Sequence, residues 1–499
     1  MRTLKLLLSA GTMLGMFVGA AHAARITDLT GNPSTPTGVG MATLPDGFDE
    51  VGSPYTGAQG LEGEAAVPFS VPAPGTINMR INLEVTEAPQ AAWWTGMNGV
   101  GTPASNAGNK QQALGIFGWV RLDFGIDGET RNGVRYGAFT EIRENNTTSI
   151  SGGTASLPGV TSTAATGLAG ASVTSGFAQS ASGDSGDNTL YVRQANTYIG
   201  TDNLGFLRIG TGLGAQTLFE VGLLDDFDIG GWNAFDSSSV PTNMAPIWPW
   251  ADDGAEYMAA RIMYVSPVIY GFDMGIAFAP NNSTPFDGSG CSAAFGGVGC
   301  ATQSASLIAG DFGRYRNELG VALRYRNTFG PVGVALSGTY TTSGTVADAA
   351  AASQPFKGLN IGDVGASIQF NRQIELAGNV MWGAFNGNWG LQPVGGTTAV
   401  AWVAGVKYTI PQLPMTLGTY YFNYKNQGAG PGPGLGQRTE QGLDVGAVYG
   451  LGPGAVLLAE YTWGQRYQGG YDFLTGASDT TAGNKVQAQI ATLGMSIRF

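Results

Sequence analysis

From Gly75 onward the chain changes the character of its side chains at every second position. Ile77, Met79, Ile81, Leu83 and Val85 alternate with Asn78, Arg80, Asn82, Glu84 and Thr86. A β-strand points successive side chains to opposite faces, so this segment has one apolar face and one polar face. Leu114, Ile116, Val120, Leu122 and Phe124 likewise oppose Arg121 and Asp123. Val134, Tyr136, Ala138 and Ile142 oppose Arg135, Glu141 and Arg143. The same period recurs at 190–200, 204–212, 256–266, 268–279, 316–327, 331–342, 360–371, 373–385, 398–410, 414–425, 440–450, 454–466 and 485–499. About 16 strands result. Tight turns, as at 411–414, alternate with long polar connections, as at 144–189 and 280–314.

A soluble sandwich also uses half-buried strands, and composition separates the two cases. Charged residues make up only 12% of the 499, apolar residues 43%, and mean hydropathy is +0.02. So little charge is unusual in a soluble protein, and 10% aromatics do not suit a disordered one. A membrane barrel reconciles these values, because an apolar outer face and a polar lumen alternate along every strand. Beyond residue 23 no uninterrupted apolar run has the length of a membrane helix. The fold expected over 75–499 is therefore all-β, a transmembrane antiparallel β-barrel of about 16 strands.

Residues 1–23 read as a signal peptide. Arg2 and Lys5 precede an apolar stretch, and Ala21-His22-Ala23 has the form of a cleavage site. His22 is the sole histidine, so a chain starting at Ala24 has none. That excludes Ser-His-Asp and Cys-His catalysis and histidine-ligated metal sites. No enzyme, cofactor or metal site is expected. The mature chain carries 22 basic against 36 acidic residues once Arg2 and Lys5 are removed, a net charge of −14. Nucleic acid, which needs a basic footprint, is excluded as a partner. Residues 24–74 form a Pro/Gly-rich N-terminal extension. Cys291 and Cys300 sit in a Gly-rich stretch where an exported protein can form a disulfide.

The final segment, Lys485 to Phe499, places Leu493, Met495, Ile497 and Phe499 on one parity and Thr492, Ser496 and Arg498 on the other. It resembles the closing strand of Gram-negative outer-membrane barrels, in which a terminal aromatic serves as the assembly signal. Phe499 takes that role by resemblance, and the segment is expected to pair with 75–87. A second resemblance rests on LGFLRIG, 204–210, and the long connection after it, which follows the fifth strand. That connection, about 213–256, holds Glu220, Asp225, Asp226, Asp228, Asp236, Asp252 and Asp253 and no Lys or Arg. The chain resembles the general diffusion porins, 16-stranded and trimeric, whose third outer loop folds into the lumen and faces arginines on the opposite wall. The resemblance implies that these acids form one side of a constriction. The basic side is assigned by parity to Arg80, Arg121, Arg135, Arg143 and Arg324, all opposite the apolar positions of their strands. The Arg that commonly follows the fifth strand in that family is absent at Thr211-Gly212, and its Pro-Glu-Phe-Gly-Gly signature is missing.

Gly210, Gly212 and Ala215 fit a dinucleotide-binding pattern, but that pattern requires a βαβ unit, and alternating strands surround it here; flexible hinges for an infolded loop explain the glycines from Gly210 to Gly214 better. Trp248 and Trp250 suit packing of the loop on the wall better than sugar stacking. The expected function is an outer-membrane porin, a water-filled channel for passive diffusion of ions and small hydrophilic solutes. The implied partners are outer-membrane lipid and lipopolysaccharide, the barrel-assembly machinery and two further copies in a homotrimer. Two alternatives stand beside it. One is a substrate-dedicated channel for a sugar or hydrophobic compound, with 24–74 as a lumen plug. The other is a non-conducting structural or adhesive surface β-protein.

Overall fold

The computed structural model describes residues 73–97, 113–145, 191–224, 232, 240–241, 243–250, 260–281, 305–306, 315–345, 347–348, 356–371, 373–387, 389–429, 434–452, 455–478 and 483–498. The targeting segment, the extension up to residue 72, Cys291, Cys300 and Phe499 lie outside the described residues.

Sixteen strands form one closed antiparallel barrel. They are β1 (Ile77–Trp94), β2 (Leu114–Glu129), β3 (Arg135–Asn145), β4 (Tyr191–Thr201), β5 (Gly205–Thr211), β6 (Ala260–Val265), β7 (Phe272–Asn281) and β8 (Tyr315–Phe329). Then follow β9 (Val332–Thr345), β10 (Asn360–Phe370), β11 (Ile374–Ala384), β12 (Ala399–Ile410), β13 (Met415–Asn426), β14 (Arg438–Gly452), β15 (Ala455–Tyr467) and β16 (Lys485–Arg498). Each pairs with its sequence neighbour, and β16 closes on β1. Two-residue ladders outside the barrel join 305–306 to 347–348 and 471–472 to 477–478. Connections at one end are tight, and Gly330 (φ 62°) and Asn371 (φ 51°) supply left-handed residues there. These residue types enter that conformation at least cost. Connections at the other end are long.

The faces separate as the alternation demands. Leu336, Val364, Leu376, Val400 and Val445 are exposed on the outside, and Asp363, Glu375, Asp444 and Glu460 are buried inside. An apolar exterior around a charged interior inverts the soluble arrangement and suits a lipid surround. Trp382, Trp402, Tyr408, Tyr449 and Tyr461 are also exposed outward, as aromatic girdles require. On β16, Leu493 and Met495 point out while Thr492 and Ser496 are buried.

The seam differs from expectation. β16 pairs with the upper part of β1, from Glu84↔Arg498 to Trp94↔Ala488. β2 pairs with β1 from Ile77 to Ala91, and the foot of β1, from Ile77 to Leu83, has β2 alone as its partner. Sliding by an even number of residues keeps every side chain on its face, so alternation alone does not specify the span. A short helix, α1 (Ala215–Phe219), follows β5, where the sequence reads only as glycine-rich hinge.

Candidate functional site: a loop seated on the inner wall

The described residues of the connection from β5 to β6 lie inside the barrel. Its path begins at Arg208, which alternation directs inward between exposed Leu207 and Ile209. The Arg208 guanidinium donates to the Leu213 carbonyl and so fixes the point of departure. α1 is buried over all five residues and lies against β7, β8 and β9. Gln216 accepts from the Thr341 hydroxyl at 3.2 Å. Arg324 donates to the Leu218 carbonyl at 3.3 Å and stacks on the Phe219 ring, 4.8 Å from its centroid. Asp273 balances Arg324 at 2.8 Å and Arg326 at 3.0 Å.

Past α1 the described residues lie along the wall. Val221 donates to Ser337 Oγ at 3.0 Å on β9 and accepts from Asn379 Nδ2 at 3.1 Å on β11. Trp232 donates its backbone N–H to the Tyr420 hydroxyl on β13 and its indole N–H to the Trp463 carbonyl on β15, both at 3.0 Å. Ile247 donates to Glu440 Oε2 at 2.5 Å on β14, and Arg466 holds that carboxylate at 3.1 Å. Trp389 donates to the Pro249 carbonyl at 2.8 Å. Inward glycines admit this close approach. A Cβ at Gly365 would stand 1.6 Å from the Val221 carbonyl oxygen, and one at Gly442 would stand 2.7 Å from the Trp232 ring.

Between the loop and β10–β15 lies an aromatic core. The Trp248 ring centroid is 4.5 Å from that of Trp250 and 5.3 Å from those of Tyr420 and Phe422. Trp232, Trp248, Trp250 and Trp389 rank among the largest fully buried side chains. Trp248 and Trp250 thus pack the loop on the wall.

The wall formed by β16 and β1–β4 is polar. Glu84 on β1, Arg121 on β2 and Glu141 on β3 form a transverse chain with contacts of 3.5 and 3.6 Å. Gln194 on β4 extends it by donating to Glu141 at 2.9 Å. Thr86 donates to Ser496 at 2.8 Å, and Gln90 donates to Thr492 at 3.0 Å across the seam. Rows of fixed charges and hydroxyls of this kind replace part of an ion's hydration shell and set a field across the passage.

Arg121 and Arg135 point inward and are ion-paired, Arg121 with Glu84 and Glu141, and Arg135 with Glu129 and Asp202. Arg324 also points inward, but on the side where the loop is seated, directly under α1. Arg80 lies on β1, and Arg143 lies on β3 in register with Arg121. Their side chains are outside the described residues. Glu220 closes α1 at its C-cap and is buried. Asp225, Asp226, Asp228, Asp236, Asp252 and Asp253 lie outside the described residues.

The sequence reading passed over Arg208, Asp273, Arg326, Glu375 with Lys407, and Glu440 with Arg466. Arg208 between Leu207 and Ile209, Asp273 between Phe272 and Met274, Glu375 between Ile374 and Leu376, and Lys407 between Val406 and Tyr408 carry the same signal that picked out Arg121, whereas Glu440 stands between Thr439 and Gln441 and carries none. Among the described residues no group of three or more His, Cys, Asp or Glu is placed to hold a metal ion.

A closed barrel with lipid-facing apolar residues, a charged interior and a loop seated inside defines an outer-membrane diffusion channel. The family described as Gram-negative porin matches residues 74–468, and the chain belongs to that family. No curated protein matches the sequence. Among solved structures, an anion-selective porin from Comamonas acidovorans is similar at 12% identity and a TM-score of 0.49. The match covers 85% of this chain and 100% of that one. A mutant of the Rh. blastica porin matches at 14% identity and a TM-score of 0.43, with the same coverage. The outer membrane channel DcaP of Acinetobacter baumannii matches at 12% identity and a TM-score of 0.45, covering 85% of this chain and 97% of that one.

Proposed function

We propose that this porin is a passive, cation-preferring pore for small hydrophilic solutes. The loop 213–256 narrows it, and it turns over no substrate and holds no cofactor. One observation carries the preference. Among the described residues, the buried charged side chains on the barrel strands comprise eleven carboxylates and eight bases. A narrow passage lined by excess negative charge concentrates cations and repels anions. Glu220, Asp225, Asp226, Asp228, Asp236, Asp252 and Asp253 form the acidic side of the constriction in this reading. Arg80, Arg121, Arg135 and Arg143 stand across from them, and Arg324 anchors the loop.

The working form is a homotrimer in the outer membrane. It is exported by a cleaved signal peptide and inserted by the barrel-assembly machinery among lipopolysaccharide and phospholipid. Reversal potentials across a planar bilayer in a KCl gradient test the selectivity. Cation preference is expected, and anion preference would overturn the reading. Replacing Asp225, Asp226 and Asp228 together by Asn lowers the cation-to-anion permeability ratio. An unchanged ratio would place the constriction elsewhere.

A further inference from the structure

The loop's two limbs meet at one side chain. Asn379 on β11 is 1% exposed. Its Nδ2 donates to the Val221 carbonyl at 3.1 Å, on the limb that leaves α1. Its Oδ1 accepts the Trp250 indole N–H at 2.6 Å, on the limb heading back towards β6. The same Nδ2 also donates to Asp363 Oδ1 at 3.1 Å on β10. A carboxylate only accepts, so Asp363 selects the amide orientation that leaves Oδ1 facing Trp250. Gly365 is in register with Asn379. Because Gly365 has no side chain, the Val221 limb lies directly on the strand, within reach of the amide.

We propose that Asn379 is the positioning residue that sets the cross-section of this channel. This rests on the reading of 213–256 as the constriction. Both limbs are tied to one rigid strand, so the span between Val221 and Trp250 is a closed loop with fixed ends. Its position on the wall then follows from β11 rather than from the hinge at Gly210–Gly214. Val221 and Trp250 are accordingly held at fixed points on the wall.

The neighbouring glycine supplies a variant of opposite sign. Asn379→Leu keeps the branched shape and removes both of these hydrogen bonds, leaving the Val221 limb on Ser337 and the Trp250 limb on its ring contacts, so the two limbs are no longer coupled through one side chain. Gly365→Ala keeps the ties but lifts the Val221 limb towards the passage.

Single-channel recording of the full-length protein tests this, together with heat-modifiable electrophoresis to verify an assembled barrel. Asn379→Leu is expected to lose the single conductance level and show a spread of levels with excess open-channel noise. Gly365→Ala is expected to keep one level, shifted to lower conductance. Trp250→Phe, which deletes the N–H on one limb and keeps an aromatic ring in the core, is expected to fall between wild type and Asn379→Leu. Asn379→Asp keeps the acceptor for Trp250 but loses the donor, and is expected to free the Val221 limb alone. One unchanged level in both Asn379→Leu and Trp250→Phe, with assembly intact, would overturn the proposal. A pore whose ion selectivity fails the KCl test while Asn379→Leu still broadens its levels would instead refute the charge assignment alone.

Discussion

Replacing Trp248 by Ala removes the centre of the aromatic core between loop and wall. Trp248 is fully buried and touches three rings at centroid distances of 4.5 to 5.3 Å. Truncating a buried Trp to Ala costs about 3–5 kcal/mol, including the cavity it leaves. The barrel does not share this loss, because its strands are held by ladder hydrogen bonds and by lipid contact on the opposite face. The cost therefore falls on loop docking. At about 1.4 kcal/mol per factor of ten, a loss of about 4 kcal/mol lowers the docked-to-undocked ratio roughly a thousandfold. The remaining ties at Asn379, Tyr420 and Glu440 then hold a loop without its core. Bilayer recordings of the variant are expected to show higher and more variable conductance. The temperature at which the folded band disappears on a gel should match wild type. A single wild-type conductance level would refute the view that this core keeps the loop seated.

Two further outcomes follow from the charges and faces. Asp273→Asn deprives Arg324 and Arg326 of their shared carboxylate, a change worth about 3–5 kcal/mol when a buried ion pair is broken. The folded band is expected to vanish at lower temperature and the permeability ratio to move towards anions, and a variant as stable as wild type would show that the triad contributes little. Val364→Arg places a charge on the exposed outer face, where it costs about 2–4 kcal/mol near the bilayer midplane. The yield of assembled barrel should fall in vesicle insertion assays while export continues, and normal insertion would place Val364 outside the hydrocarbon layer.

The strands were legible because alternation and the lipid-water division express the same physics twice along every segment. Ile77–Thr86 declares its faces without any knowledge of its neighbours. The seat of the loop was not legible for the complementary reason. Period two says which way Tyr420, Phe422 and Tyr424 point, but not that a loop from nearly 200 residues earlier lies over them. β13 even places Tyr421 on its other face, so aromatic character there marks no side. The ion pairs were hidden in the same way. Parity sends Arg121 and Arg324 inward alike, yet register puts one between Glu84 and Glu141 and the other beneath Phe219. Register across the lumen depends on the stagger of the whole barrel, which no single strand encodes.

The loop precedes its own seat in the chain. Trp232, Trp248 and Trp250 are all made before the first residue of β10, yet β11, β13, β14 and β15 supply the surfaces that cover them. While the chain grows, these rings have no wall to rest on. They find one only as the late strands assemble, when contacts of high sequence separation form. A narrowed passage is thus a property of the finished barrel alone. A chain truncated before β10 lacks both the seam and the surface that draws the loop to the wall, so an incomplete cylinder has nothing with which to restrict its own bore.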